Sequence, residues 1–190
     1  MSSVLKVSSI QDPTNSNTAL SVDASGRTRI HQNSTATSNY ATSGAWEIFG
    51  VPDWADKIKF AGYRISWDTN GDLYFRVTVG GTAVQGTAYK YTQVTLNNAA
   101  AVATTDRSAG HSQIETDGFG ANANLFNYII EIYKVDTNIY NFSASIANHT
   151  YGGYFLTQTG TIETSGAIDG VQLIASGGNF DSGKARLFWE

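Results

Sequence analysis

The chain has 190 residues, room for one domain of ordinary size and a short appendage but hardly for two full domains. Hydrophobic residues make up 41% and charged residues only 15%, while Ser, Thr, Asn and Gly supply 72 positions, so a packed core is expected and wholesale disorder is not. Net charge is −4, and the Lys and Arg are spread singly apart from Arg27/Arg29 and Lys57/Lys59; without a concentrated cationic footprint, no nucleic-acid partner is expected.

Along the chain, residues 1–32 carry only short apolar groups: Val4, Leu5, Val7 and Ile10, then Leu20 and Val22, then Ile30. These are too few to bury a core alone, so the segment is expected to dock on something else. Residues 33–44 (NSTATSNYATSG) are polar and read as a linker. From Ala45 onward nearly every segment reads as strand, with Thr, Val, Ile, Tyr and Phe in short runs separated by Gly, Asn and Asp. The first run is 45–50.

The second predicts a hairpin over 57–79. Ile58 and Phe60 share one face, and Tyr63, Ile65 and Trp67 have the opposite parity. The slip at Ala61-Gly62 marks a β-bulge, and Asp68-Thr69-Asn70-Gly71 supplies the turn. A strand follows over 87–95. The best helical stretch, 97–105 (NNAAAVATT), lacks an apolar face.

The clearest strands come next. Phe126, Tyr128, Ile130 and Ile132 point one way, and so do Tyr140, Phe142, Ala144 and Ile146. Asp136-Thr137-Asn138 joins the two runs into a hairpin. Strands over 153–163, 168–176 and 184–190 complete the chain. This spacing of strands without intervening helices predicts an all-β chain, a jelly-roll-like β-sandwich over 45–190 with a short N-terminal anchoring segment.

Little chemistry emerges. With no cysteine, disulfides, thiolate zinc sites and a cysteine nucleophile are excluded. His31, His111 and His149 stand far apart, and none has a ligand spacing. Asp53 and Asp56, or Glu131 on the polar side of its strand, are the carboxylates a glycoside hydrolase would draw on; a turn-capping role explains the first two without catalysis. Asp68, Asn70 and Asp72 space oxygen ligands as calcium loops do, but Gly71 precedes Asp72 instead of following the third ligand, and a turn explains the segment without an ion. No catalytic residue, metal or cofactor is expected.

Gly80-Gly81, Gly118-Phe119-Gly120 and Gly152-Gly153 lack the Lys and helix that phosphate loops need. Three N-x-S/T sequons, at Asn33, Asn141 and Asn148, are about as many as chance supplies in this composition. Aromatics are the one surplus, with 9 Phe, 10 Tyr and 4 Trp. Most belong in a core. Tyr89, Tyr91, Tyr151 and Tyr154, in strands or Gly-rich turns, are candidates for an exposed contact surface. No apolar run approaches the ~20 residues of a membrane helix, so no membrane insertion is expected. The N-terminus has no signal-peptide layout.

Three stretches resemble known proteins. Val4-Leu5-Lys6-Val7-Ser8-Ser9-Ile10-Gln11 with Ala19-Leu20-Ser21-Val22-Asp23-Ala24-Ser25-Gly26-Arg27 is similar to a segment that opens many tailed-phage virion proteins, notably of marine and cyanobacterial phages. The stretch from Trp46 to Ile58, with Phe49-Gly50-Val51-Pro52, and the stretch from Ile168 to Glu190, with Phe180-Asp181-Ser182-Gly183 and a terminal strand, resemble segments of phage tail fibres. Together they cover about a third of the chain; residues 80–125 have no counterpart.

The resemblance implies a structural component of the virion, assembled in the host cytoplasm and released by lysis. It would be a tail fibre or fibre-anchoring protein, a homotrimer, docked on other virion proteins through Val4, Leu5, Val7, Ile10, Leu20 and Val22. A receptor-binding module for host cell-surface glycan or protein, and a capsid decoration protein or head fibre, are the alternatives. The resemblance transfers no catalytic residue.

Overall fold

The computed structural model describes residues 43–69, 71–96, 124–148, 150 and 155–190 in full, and 9–11, 18–22, 28–30, 34–37, 102–109 and 112–114 as backbone strands. The described chain is all-β. It divides into two compact units, Met1–Asn33 and Ser34–Glu190.

In the first unit, β1 (Ser9–Gln11), β2 (Thr18–Val22) and β3 (Thr28–Ile30) form an antiparallel sheet in the order β1-β2-β3. Leu20 stands opposite Ile10 on one side and Ile30 on the other. That register gathers three of the segment's few apolar residues in one row across the sheet.

The second unit contains thirteen of the described strands: β4 (Ser34–Thr37), β5 (Ala45–Phe49), β6 (Lys57–Trp67), β7 (Leu73–Val79), β8 (Thr82–Ala83), β9 (Tyr89–Leu96), β10 (Val102–Ala109), β11 (Ser112–Ile114), β12 (Phe126–Asp136), β13 (Ile139–Asn148), β14 (Phe155–Glu163), β15 (Gly170–Ala175) and β16 (Phe180–Trp189). They make two antiparallel sheets. The larger runs β10-β9-β14-β13-β12-β6-β16-β4, and the smaller runs β11-β7-β15-β5, with β8 paired to β7.

One buried apolar cluster draws on both sheets. Ile58, Phe60, Ile65 and Trp67 come from β6; Leu73, Phe75 and Val77 from β7; Val171 and Leu173 from β15; Leu187 and Trp189 from β16. Trp46 of β5 meets Phe180 of β16 edge to face, with ring centroids 5.8 Å apart. The body is thus a β-sandwich whose strands present alternate residues inward.

The β12–β13 hairpin forms as the alternation predicts. Tyr128 faces Ile146, Ile130 faces Ala144 and Ile132 faces Phe142, all buried. The turn is Thr137-Asn138, and Asn138 takes the left-handed conformation (φ 60°) that Asn tolerates better than most residues.

The hairpin expected over 57–79 does not form. β6 lies in the larger sheet and β7 in the smaller, so the chain changes sheet between Trp67 and Leu73. Alternation reports which side chains point inward, and both strands satisfy it by facing the same core from opposite sides. The bulge falls just after its expected place. Gly62 is still inward, Tyr63 and Arg64 are both exposed, and Ile65 resumes the inward row. Arg64 has φ 53°, and its N–H donates to Asn127 Oδ1 at 3.1 Å. Opposite it, β16 is irregular at Ser182 and Lys184, and Gly183 sits at φ 130°, where an added Cβ would lie 2.9 Å from Ile65 Cα. The two neighbouring strands bend together.

Two further expectations are revised. Ser34–Thr37, inside the stretch read as a linker, is β4, paired with Ala185–Phe188 of β16. A short Ser/Thr run lacks the apolar alternation that marks a half-buried strand, yet it completes a sheet edge through its backbone. Residues 102–105, within the helical candidate, belong to β10 and pair with β9; the β-branched Val102, Thr104 and Thr105 suit a pleated strand.

Candidate functional site

The exposed-tyrosine expectation is half overturned. Tyr89 and Tyr91 are buried, at 0% and 4% exposure. β9 reads Tyr-Lys-Tyr-Thr-Gln-Val-Thr-Leu, and it turns Tyr89, Tyr91, Gln93 and Thr95 inward. The Tyr89 hydroxyl accepts the Val77 N–H at 2.8 Å and so ties the larger sheet to the smaller. Burial pushes the Tyr89 hydroxyl well above its usual range and outweighs the Val77 hydrogen bond and the Arg76 charge, so it stays protonated. Tyr91 packs edge-on to Phe142, centroids 6.1 Å apart. Both are core residues, so neither is a contact residue. Tyr151 and Tyr154 lie outside the described residues.

Of the docking candidates, Ile10 lies on β1, and Leu20 and Val22 on β2; Val4, Leu5 and Val7 lie outside the described residues. Of the calcium candidates, Asn70 does too. Asp68 and Asp72 instead clamp two loops together. Asp68 Oδ1 accepts the Asn179 N–H at 2.8 Å, and the Asp72 N–H donates to Ser176 Oγ at 2.7 Å. Gly178, at φ 71°, lets the chain pass this carboxylate, since an added Cβ would overlap Asp68 Oδ1. Among the described residues, no three His, Asp or Glu side chains converge as a metal site would require.

Exposed aromatics do occur, on residues that the sequence did not single out for contact. Trp54 is 59% exposed in the turn that precedes β6, and Tyr133, Val135 and Ile139 are exposed around the β12–β13 turn. The Lys134 N–H donates to the Asp56 carbonyl at 2.8 Å, which brings the two segments together. A charged fringe accompanies them. Lys57 Nζ lies 5.5 Å from the Tyr133 ring centroid and 3.7 Å from Glu190 Oε1, and Lys59 Nζ lies 3.3 Å from Glu131 Oε1. Burial opposes ionisation of Glu131, but the Tyr133 hydroxyl, which donates to it at 3.1 Å, and the Lys59 and Lys57 ammoniums together hold its carboxyl below the usual carboxylate range.

The same end of the sandwich carries a cleft of about 330 Å3 between the β7–β8 turn and the segment after β14. Its lining includes the apolar Val79, Val84 and Ala88 and the polar Thr82, Gln85, Glu163 and Ser165. Beside the cleft, Asp169 braces the β7–β8 turn: it accepts the Thr78 hydroxyl at 2.6 Å and the Gly81 N–H at 2.7 Å. Glu163 pairs with Lys90 at 2.7 Å. Ile139 stands opposite Glu163 in the sheet, so the cleft adjoins the exposed hairpin. An open cleft and an aromatic patch can hold a ligand by shape and hydrogen bonding. Comparison of the chain with models of known protein families and with curated proteins finds no match.

Proposed function

We propose that this chain is a non-enzymatic structural component of a tailed-phage particle, a tail fibre or fibre-anchoring protein. Residues 1–33 dock on other virion proteins, and the sandwich projects from the particle. The observation that carries the reading is the division of the chain at Asn33/Ser34 into a small three-stranded unit and a sandwich with its own core. A three-stranded sheet with so few apolar residues gains stability by covering its face with a partner. In an image of assembled particles the chain occupies the tail; density on the capsid would reassign it as a head fibre or decoration protein. A chain starting at Ser34 folds, as judged by circular dichroism, but is missing from purified particles. Normal incorporation of that truncated chain would overturn the docking role.

Self-association is part of the proposal, with a homotrimer as the expected state. β5, at the margin of the smaller sheet, pairs with β15 alone among the described strands, and its sequence AWEIF carries a single charge. Such an edge invites a strand from another copy. Light scattering that reports a stable monomer at micromolar concentration would remove the trimer. The second reading, a module that contacts the host surface, is favoured by the exposed Trp54, Tyr133, Val135 and Ile139, because exposed aromatics concentrate where proteins meet partners.

A further inference from the structure

We infer that the cleft beside the β7–β8 turn binds one uncharged sugar unit, a neutral hexose or N-acetylhexosamine at the end of a glycan. The inference builds on the second reading above and gives it a site and a ligand class. Three observations point to that chemistry. The first is size: about 330 Å3, open to solvent, sits at the low end of ligand sites and suits a single ring.

The second is the lining. Val79, Val84 and Ala88 offer an apolar wall for the C–H face of a pyranose, and Thr82, Gln85 and Ser165 offer a hydroxyl, an amide and a second hydroxyl. Such groups both donate and accept, as sugar hydroxyls do. The third is charge. Glu163 is the one charged residue in the lining, and Lys90 neutralises it at 2.7 Å. A paired carboxylate retains acceptor capacity for a sugar hydroxyl, but the cleft as a whole has no net charge with which to select an anion or a cation. An exposed polar cleft pre-pays little desolvation, so each site binds weakly, and repeated copies supply avidity.

The test is a TROSY titration of the full-length protein with methyl glycosides of glucose, galactose, mannose and N-acetylglucosamine, with methyl glucuronide as the anionic comparison. The expected result is saturable shifts confined to residues 79–88 and 163–166 with at least one neutral sugar, at least tenfold weaker for Gln85→Ala/Ser165→Ala and unchanged for Tyr63→Ala, whose exposed ring lies on the distant β6 bulge. No shifts with any neutral sugar, tighter binding of the glucuronide, or a response that Trp54→Ala abolishes while the cleft variant does not would each overturn the assignment. A protein that is absent from particles yet shifts with a neutral sugar sinks the virion reading and keeps the cleft. A protein built into particles that ignores every neutral sugar does the reverse.

Discussion

The inner face of the larger sheet has two halves of different character. Under β6, β12 and β16 it is aromatic: Phe60, Trp67, Phe126, Tyr128 and Phe180 are each at or below 1% exposure, and Trp67 stacks on Phe126 with centroids 5.5 Å apart. Under β9 and β14 it is mixed: Tyr89, Tyr91, Leu156 and Ile162 belong to the apolar core, and Gln93, Thr95 and Gln158 are buried among them. Gln93 and Gln158 are equally buried and stand opposite each other; Gln158 Nε2 donates to Gln93 Oε1 at 2.8 Å, and Gln93 Nε2 to Thr95 Oγ1 at 3.2 Å.

The first half gains stability from area and tolerates a loose end, since the Trp67 indole N–H is buried without a hydrogen-bond partner among the described residues. In the second half each amide names its neighbour, and a slipped register would strand it. Apolar area on both halves supplies stability, and the glutamine pair specifies how β9 and β14 meet.

Substitutions can break that division. The largest loss is expected for Trp67→Ala, about 3–5 kcal/mol in denaturant unfolding. A loss under about 1 kcal/mol there would mean that the aromatic packing is not a main source of stability. Gln158→Ala is expected to cost about 1–3 kcal/mol by leaving the Gln93 carbonyl unpaired, whereas Gln93→Leu/Gln158→Leu together come out close to neutral. Equal losses for the single and double variants would show that the amides matter only as volume. Tyr89→Phe is expected to cost a similar ~1–3 kcal/mol, because the Val77 N–H loses its acceptor.

The smallest effect concerns Glu131, outside both halves. Its carboxyl is depressed in the folded chain, so its contribution is present above the unfolded value and fades as pH falls through the folded one. Glu131→Gln therefore flattens the loss of stability on acidification, by at most about 1 kcal/mol, the range of exposed ion pairs. An unchanged acid limb would remove Glu131 from the account.

The aromatic half was legible in the sequence. Period-two runs of Phe, Tyr and Ile read directly as inward faces over 126–132 and 140–146, and the phase slip in β6 announced its bulge within two residues. The buried glutamine pair was not. In β9, Val94 and Leu96 alternate against Gln93 and Thr95, so hydrophobicity alone turns the strand the wrong way round at its C-terminal end. Tyr89 and Tyr91 were contact candidates only for lying in strands or Gly-rich turns, a placement that does not tell which face of the strand they take. Pairing was also hidden, because β6 and β7 are adjacent in sequence and belong to different sheets. The cleft left no signal at all: its polar residues come from two segments about 80 positions apart and share no motif.

β6 sits between β12 and β16, and β16 follows it in the chain by more than a hundred residues. Trp67 pairs with Phe180 and Ile58 with Trp189 across more than a hundred intervening residues. Such high contact order slows folding and delays closure until β16 has been made. On the ribosome, the row of Ile58, Phe60 and Trp67 must therefore wait without its final neighbour, and a nascent chain stalled before Phe180 is the form of this protein most prone to capture by chaperones or to aggregation.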